Sequence, residues 1–342
     1  MRALVTGATG FIGRRLVRRL VECFGAAQVT CMVTAPASPL EDDTLDNHHA
    51  LGVRLIKGDL LESPPADERP PRVDTVFHLA GNVDTNASER ALRVNDLGTE
   101  RLLDWIAPVS NGVRVMYASS VAVHDRAARP SGPITEQSPC VPRTGYGRTK
   151  LRGERILQQR AARDAFSWTI LRLPTVYGPG QKPGGLFDQL ITRAIRGDLL
   201  GRIEWPGRTS VIHVDDVVDA MIDMASRPEA CNDVYCLASD ETDLTVGELA
   251  RRIHAVLDKS MQPVDIPRPL LRVAQSLVWS RTAQVAMPPF ARLHFWRLSL
   301  ILTDGFWFDA SKFRTMYSKP LRSVESGLAG LIEGYGRTTS KM

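Results

Sequence analysis

The chain has 342 residues, 43% of them hydrophobic and 24% charged, and a formal net charge of +5. That length can bury a substantial core as one large domain or two coupled ones, and the composition excludes a disordered or fibrous chain. The modest positive charge argues against a nucleic-acid protein, which concentrates basic residues in one place.

The first half alternates in type. Arg2 to Thr6 is a short apolar run ending in glycines, expected as a buried strand. Phe11 to Phe24 follows with helical periodicity: Leu16, Val17, Leu20, Val21 and Phe24 share one face and Arg15, Arg18, Arg19 and Glu22 the other. That arginine face is expected to be solvated. Strands are predicted at Val29–Val33, Val53–Ile56, Val73–Leu79, Val113–Ala118 and Ser167–Leu173, and helices at Ala91–Ile106 and Leu151–Arg163. Short apolar strands separated by helices mean parallel strands with crossover helices, hence an α/β doubly wound sheet.

From about Pro179 the texture changes to GPGQKPGG, then a helix near Leu186–Arg196 and a strand leading into a helix in TSVIHVDDVVDAMIDMA. Residues 1–178 are expected to form a dinucleotide-binding domain, its sheet completed by 208–237. Residues 179–342 are expected to be mainly a smaller substrate-binding lobe. That lobe carries Trp279, Phe290, Phe295, Trp296, Phe306, Trp307 and Phe308, read as core or as lining for an apolar substrate. Leu270 to Trp279, with Arg272 and Arg281, is expected to be a packed amphipathic helix rather than one on a membrane surface.

Five scattered cysteines, Cys23, Cys31, Cys140, Cys231 and Cys236, contain no C-x-x-C, so neither a disulfide framework nor a metal site is expected, and a cytoplasmic location fits. A strand-like run begins at the first residues, so no signal peptide is expected ahead of it, and no uncharged apolar run is long enough for membrane insertion.

Four motifs carry chemistry. TGATGFIG places Gly7, Gly10 and Gly13 between a strand and a helix. There Gly7 allows a tight turn, Gly10 lets a pyrophosphate approach the backbone, and Gly13 permits close helix–strand packing, while the helix N-terminus offers N–H groups and positive potential. The second strand ends at Val33 and Thr34, where a ribose-binding carboxylate would be expected, and no Arg or Lys lies between residues 20 and 53. A weak preference for NADP(H) over NAD(H) follows, with Arg14 or Arg15 as the phosphate's partner or as solvated groups. Asp59, in KGDL, accepts from an adenine amino group or caps its own loop. Ala80 and Gly81, ending FHLAG, are small enough for a cofactor to lie on them. TGYGRTK places Tyr146 and Lys150 four residues apart, either in a loop or on one helix face.

In order, TGATGFIG, GDL, HLAG, RVNDLGT, ASS, Y-x-x-x-K and LRLPTVYGPG resemble the extended short-chain dehydrogenase/reductase family, also called the NAD-dependent epimerase/dehydratase family. The resemblance covers Met1 to about Asp219, with a weaker echo at FDASKF. It implies a Ser-Tyr-Lys triad: Tyr146 as acid–base, Lys150 lowering its pKa from the ordinary value near 10, and Ser120 holding the substrate oxygen, with Ser119 the runner-up. Asn95 would support the site, or simply cap a neighbouring backbone group. The implied cofactor contacts are Gly7, Gly10, Phe11, Ile12, Gly13, Thr34, Asp59, Leu60, Leu79, Ala80, Gly81, Asn95, Tyr146, Lys150, Pro174 and Val176.

Two departures bear on substrate. His124 stands where many sugar-nucleotide epimerases have tyrosine, and Pro174–Thr175 stand where they tend to have asparagine. Val83, His124, Thr175 and Arg208 are the substrate candidates; His124 is alternatively a partly exposed loop histidine without a ligand. The expected activity is NAD(P)-dependent hydride transfer to or from a ketone or secondary alcohol of a small or lipophilic molecule. The alternatives are a nucleotide-sugar epimerase or dehydratase and a non-catalytic NAD(P) sensor. The resemblance also implies a homodimer.

Overall fold

The computed structural model describes residues 1–36, 38–62, 69–85, 87–109, 111–124, 132–242, 244–279, 298, 301–304 and 306–339, with the backbone alone at 278–279 and 336–339. In chain order these form β1 (Ala3–Thr6), α1 (Gly13–Phe24), β2 (Val29–Val33), α2 (Pro39–Ala50), β3 (Arg54–Lys57), β4 (Thr75–His78), α3 (Glu89–Leu92), α4 (Leu97–Ile106), β5 (Arg114–Ser120), α5 (Gly145–Asp164) and β6 (Ser167–Leu173). There follow β7 (Thr175–Tyr177), α6 (Leu186–Arg196), β8 (Val211–His213), α7 (Val214–Ala225), β9 (Asp233–Cys236), α8 (Val246–Val256), α9 (Arg268–Trp279), α10 (Ser311–Met316) and α11 (Val324–Thr339).

Seven strands pair in parallel in the order β3-β2-β1-β4-β5-β6-β9. The order turns back between β1 and β4, and the loops leaving those two strands diverge to opposite faces, opening a crevice at their C-terminal ends. The strand completing the sheet is β9, whereas β8 pairs in parallel with β7 outside it. Side-chain alternation divides the core. Ala3 and Val5 join Leu16, Val17 and Leu20 of α1 and Val217 and Met221 of α7 on one face. Leu4 joins Leu102, Ile106 and Leu157 on the other. A third cluster, built from Phe187, Leu190, Ile191, Leu249, Ile253, Val324 and Leu328, forms the core of the C-terminal lobe.

Helix α2 had no counterpart in the sequence reading. Ser38 caps it by accepting from the Glu41 N–H at 3.3 Å, and Pro39 occupies its first turn. It buries only Thr44 and His48, so it has no apolar stripe for periodicity to detect. The arginine face of α1 also differs from expectation. Arg18 and Glu22 stand in solvent as expected, whereas Arg15 pairs with Asp215 at 2.6 Å and Arg19 with Asp219 at 2.9 Å, so one side of this face packs against α7. Such half-exposed pairs each contribute about 0.2–1 kcal/mol and serve mainly to set orientation.

Helix α5 begins at Gly145, six residues before the predicted Leu151. Thr144 caps it by accepting from the Gly147 N–H at 3.0 Å. Glycines obscure the start because the helix lies so close to β5 that side chains do not fit. A Cβ on Gly147 would strike the Ala122 carbonyl, and one on Gly153 would meet the Tyr117 hydroxyl and lie 2.5 Å from the Asn95 carbonyl. In the lobe, Phe306 and Phe308 are buried as expected of core residues. The side chain of Trp279 and residues Arg281, Phe290, Phe295 and Trp296 lie outside the described residues. Helix α9 is not the packed helix expected, since its apolar stripe faces outward.

An exposed helical Gly→Ala change ordinarily stabilises by about 1 kcal/mol. Gly153→Ala should instead cost about 1–3 kcal/mol through overpacking against Tyr117 and Asn95, measured by urea denaturation.

Candidate active site

The glycine loop closes the crevice at the end of β1. Gly7 has φ +69, and a Cβ there would lie 2.6 Å from the Ala80 amide nitrogen, so two loop backbones nearly touch. A Cβ on Gly13 would lie 2.9 Å from Ala8 Cα, whereas on Gly10 its only near neighbour is the Gly7 carbonyl at 3.2 Å. The α1 N-terminus has no side-chain cap and no acidic residue in its first turn. Its amides and dipole are thus directed at the crevice without competition, a cradle suited to a dinucleotide pyrophosphate.

Arg14 and Arg15 are engaged elsewhere. Arg14 donates to the Gly180 carbonyl and lies over Phe11, 5.8 Å from its ring centroid. Arg15 donates to the Pro179 carbonyl at 2.8 Å in addition to its Asp215 pair. Thr34 is exposed just past β2, and Asp59 accepts from the Leu61 N–H at 2.7 Å, as a loop cap does. Leu60 is buried against Gly98, so its side chain belongs to the core. Ile12, Leu79, Ala80 and Gly81 are partly open at the crevice, and Pro174 is buried beside a half-buried Val176.

On α5, Tyr146, Lys150 and Glu154 follow one another at intervals of four and so share a face. Lys150 is 3% exposed and donates to the Ala118 carbonyl at 2.9 Å, with its nitrogen 4.9 Å from the Tyr117 ring centroid. Burial pulls its pKa down to about 8, with the Glu154 charge opposing the fall. A Cβ on Gly81 would lie 3.1 Å from this ammonium, so the open end of β4 and the lysine face each other. Tyr146 is partly exposed in the first helical turn. Ser120 is nearly buried and accepts from the Ala122 N–H at 3.2 Å. Its neighbour Ser119 donates to Glu154, which commits that hydroxyl to the core.

Asn95 is fully buried and ties three segments together. Its side-chain carbonyl accepts from the Asn82 N–H at 3.0 Å, and its amide donates to the Asn82 carbonyl and to Thr149, both at 3.0 Å. Thr149 in turn donates to the Tyr146 carbonyl at 2.9 Å. The asparagine therefore fixes the loop after β4 to the helix bearing Tyr146.

The sequence reading missed a second network. Arg172 pairs with Glu154 at 2.8 Å, both nearly fully buried, and also reaches His124 at 3.1 Å. His124 is 1% exposed, and burial together with the Arg172 charge lowers its pKa to about 4. It is therefore neither an exposed loop histidine nor a group open to substrate. It fills its pocket as a neutral partner of Arg172, and its edge faces Phe308 with ring centroids 6.2 Å apart. The one available signal was Glu154, which continues the Tyr146–Lys150 spacing. Of the other substrate candidates, Val83 is exposed and Thr175 half-buried at the start of β7. Arg208 lies 4.1 Å from the Trp307 ring centroid and 3.5 Å from Asp304. The sheet thus brings the glycine loop, Gly81, Asn95, Ser120, Tyr146 and Lys150 to one edge. His124 and Arg208 are held in separate networks.

A doubly wound sheet with a pyrophosphate cradle beside a buried lysine and a helix-borne tyrosine defines a nucleotide-dependent enzyme of the oxidoreductase type. The model of the NAD dependent epimerase/dehydratase family matches residues 3–238, and the chain belongs to that family. It is 26% identical to a UDP-glucose 4-epimerase of Vibrio cholerae over 77% of this chain and 78% of that one. It is 28% identical to a ceramide reductase of Caulobacter vibrioides over 98% of this chain and 92% of the relative. Among solved structures, a Bacillus cereus UDP-glucuronic acid 4-epimerase in complex with UDP-glucuronic acid and NAD superposes with a TM-score of 0.75 at 20% identity, covering 99% and 100% of the two chains. At that identity the likeness is one of fold.

Replacing Asn95 by Ala would leave the Asn82 backbone pair and Thr149 without their partner. A loss of about 1–3 kcal/mol is expected for each stranded buried group. Thermal denaturation should show the destabilisation, and dinucleotide titration a weaker affinity from the released loop at 80–83.

Proposed function

We propose that this protein is an NAD(P)H-dependent reductase acting on a ketone of a lipophilic substrate. The observation that carries the reading is the extent of the ceramide reductase likeness, 98% of this chain and 92% of the relative. It runs through the lobe that would shape a substrate pocket, whereas the family match ends at residue 238.

When bound, the reduced nicotinamide supplies hydride to the carbonyl carbon. Ser120 holds the carbonyl oxygen by hydrogen bonding, and the Tyr146 phenol gives its proton to that oxygen as negative charge develops. The Lys150 ammonium favours the phenolate left behind, and its burial strengthens that effect. Asn95 keeps Tyr146 and the Gly81 loop in register. In the oxidative direction Tyr146 takes the proton back.

A second reading, a nucleotide-sugar epimerase, is supported by the Vibrio cholerae relative. Net consumption of reduced cofactor with a ketone separates the two, because an epimerase restores its cofactor on each turnover. For the cofactor, the exposed Thr34, with no carboxylate beside it in sequence, supports a slight preference for NADPH, to be read from the two dissociation constants. A homodimer is proposed as the assembly.

Tyr146→Phe should lower kcat by about 100- to 10,000-fold while leaving the dinucleotide dissociation constant within about twofold. Wild-type turnover in the variant would overturn the assignment. Lys150 is charged below its pKa of about 8. Reductive kcat/KM is therefore expected to hold on the acid side and decline as pH rises through 8. Lys150→Met should be slow throughout and lack that limb.

A further inference from the structure

Helix α9 turns an apolar stripe to water. At about 100° per residue, Leu270, Val273 and Leu277 align along one side of it. Their exposures are 63%, 58% and 52%. The helix is held from its other side, where Gln275 donates to the Leu302 carbonyl at 2.9 Å and Leu271 and Ala274 are half-buried. Turning the stripe inward would break that anchorage.

Between Asp265 and Asp304 the charge of the sequence is one-sided. Arg268 and Arg272 are exposed on α9, and neither forms an ion pair with a described residue. From Ile266 to Thr303 the sequence holds five arginines, Arg268, Arg272, Arg281, Arg292 and Arg297, and no aspartate or glutamate. Some basic residues elsewhere in the lobe are matched, as Arg252 is by Glu241 and Glu248. A second copy of the chain, brought face to face here, would set positive against positive.

We propose that α9 seats the enzyme on an anionic lipid surface. The stripe enters the boundary between headgroups and acyl chains, and Arg268 and Arg272 contact lipid phosphates. A 12-residue helix lies in such an interface and is too short to cross it. Among the described residues no helix is long and apolar enough to span a membrane, so the contact is peripheral. This proposal stands apart from the substrate reading, because docking is measured without turnover.

The test is co-flotation of the full-length protein with phosphatidylglycerol/phosphatidylcholine vesicles and with phosphatidylcholine alone. Binding is expected on the anionic vesicles, about tenfold weaker on the neutral ones, and falling with added salt. Leu270→Gln/Val273→Gln/Leu277→Gln should lose about tenfold or more, and Arg268→Gln/Arg272→Gln should lose the salt-sensitive part. NADH affinity should be unchanged in both variants, which separates docking from misfolding. If the triple variant loses NADH affinity, the lipid and salt dependence of the wild type and the double arginine variant decide. Absence of wild-type binding to anionic vesicles, or equal binding by the variants, overturns the proposal. So does a wild-type dimer that the triple variant turns into monomer without any vesicle binding, which would make the stripe an interface between copies; capture of an acidic protein in place of vesicles would do the same. Failure of ketone reduction leaves the docking result standing, and failed docking leaves the Tyr146 chemistry standing.

Discussion

An ammonium group held out of water is the constraint around which this structure is arranged. Lys150 lies between the end of β5 and the loop after β4, with the Ala118 carbonyl as its direct acceptor. Removing a cation from water costs several kcal/mol unless hydrogen bonds and opposite charge offset it. Glu154 supplies that charge from one turn along α5, and Arg172 and Ser119 in turn hold Glu154. The lysine can stay charged near neutrality because the Glu154 charge opposes the effect of burial. That arrangement requires α5 to press against β5, which is why Gly147 and Gly153 occupy the contact.

A second set of contacts ties the cofactor cradle to the rest of the chain. Arg14 and Arg15 leave the first turn of α1 and reach Gly180 and Pro179, where the chain departs toward the C-terminal lobe. Asp215 at the start of α7 completes the tie. The basic residues beside the glycine loop therefore hold the lobe's point of departure.

Much of the fold was legible in the sequence because it rests on local rules. Apolar runs at Val29–Val33 and Ser167–Leu173 are strands since both their faces are buried. The glycine loop was legible because its spacing serves turn, approach and packing together. Helix α2 was not, since two buried residues leave no periodic signal. The role of His124 was not either. Its neutrality comes from burial first and then from the charge of Arg172, 48 residues away in sequence, and no local pattern reports a partner across a strand. The outward stripe of α9 was misread for a related reason: periodicity shows that a helix has an apolar side but not which way that side faces.

The serine doublet at the end of β5 shows what a pleat implies for sequence change. Ser119 lies in register with Arg172, and Ser120 with Leu173. Neighbouring residues in a strand face opposite ways, so the Ser119 hydroxyl serves the buried ion pair and the Ser120 hydroxyl turns the other way, where it accepts from the Ala122 N–H. The two look interchangeable when written as letters, yet a single-residue insertion or deletion within the strand would exchange their tasks. Substitutions along β5 can be absorbed one at a time, but its length between Arg114 and Ser120 cannot vary without moving the hydroxyl away from the crevice.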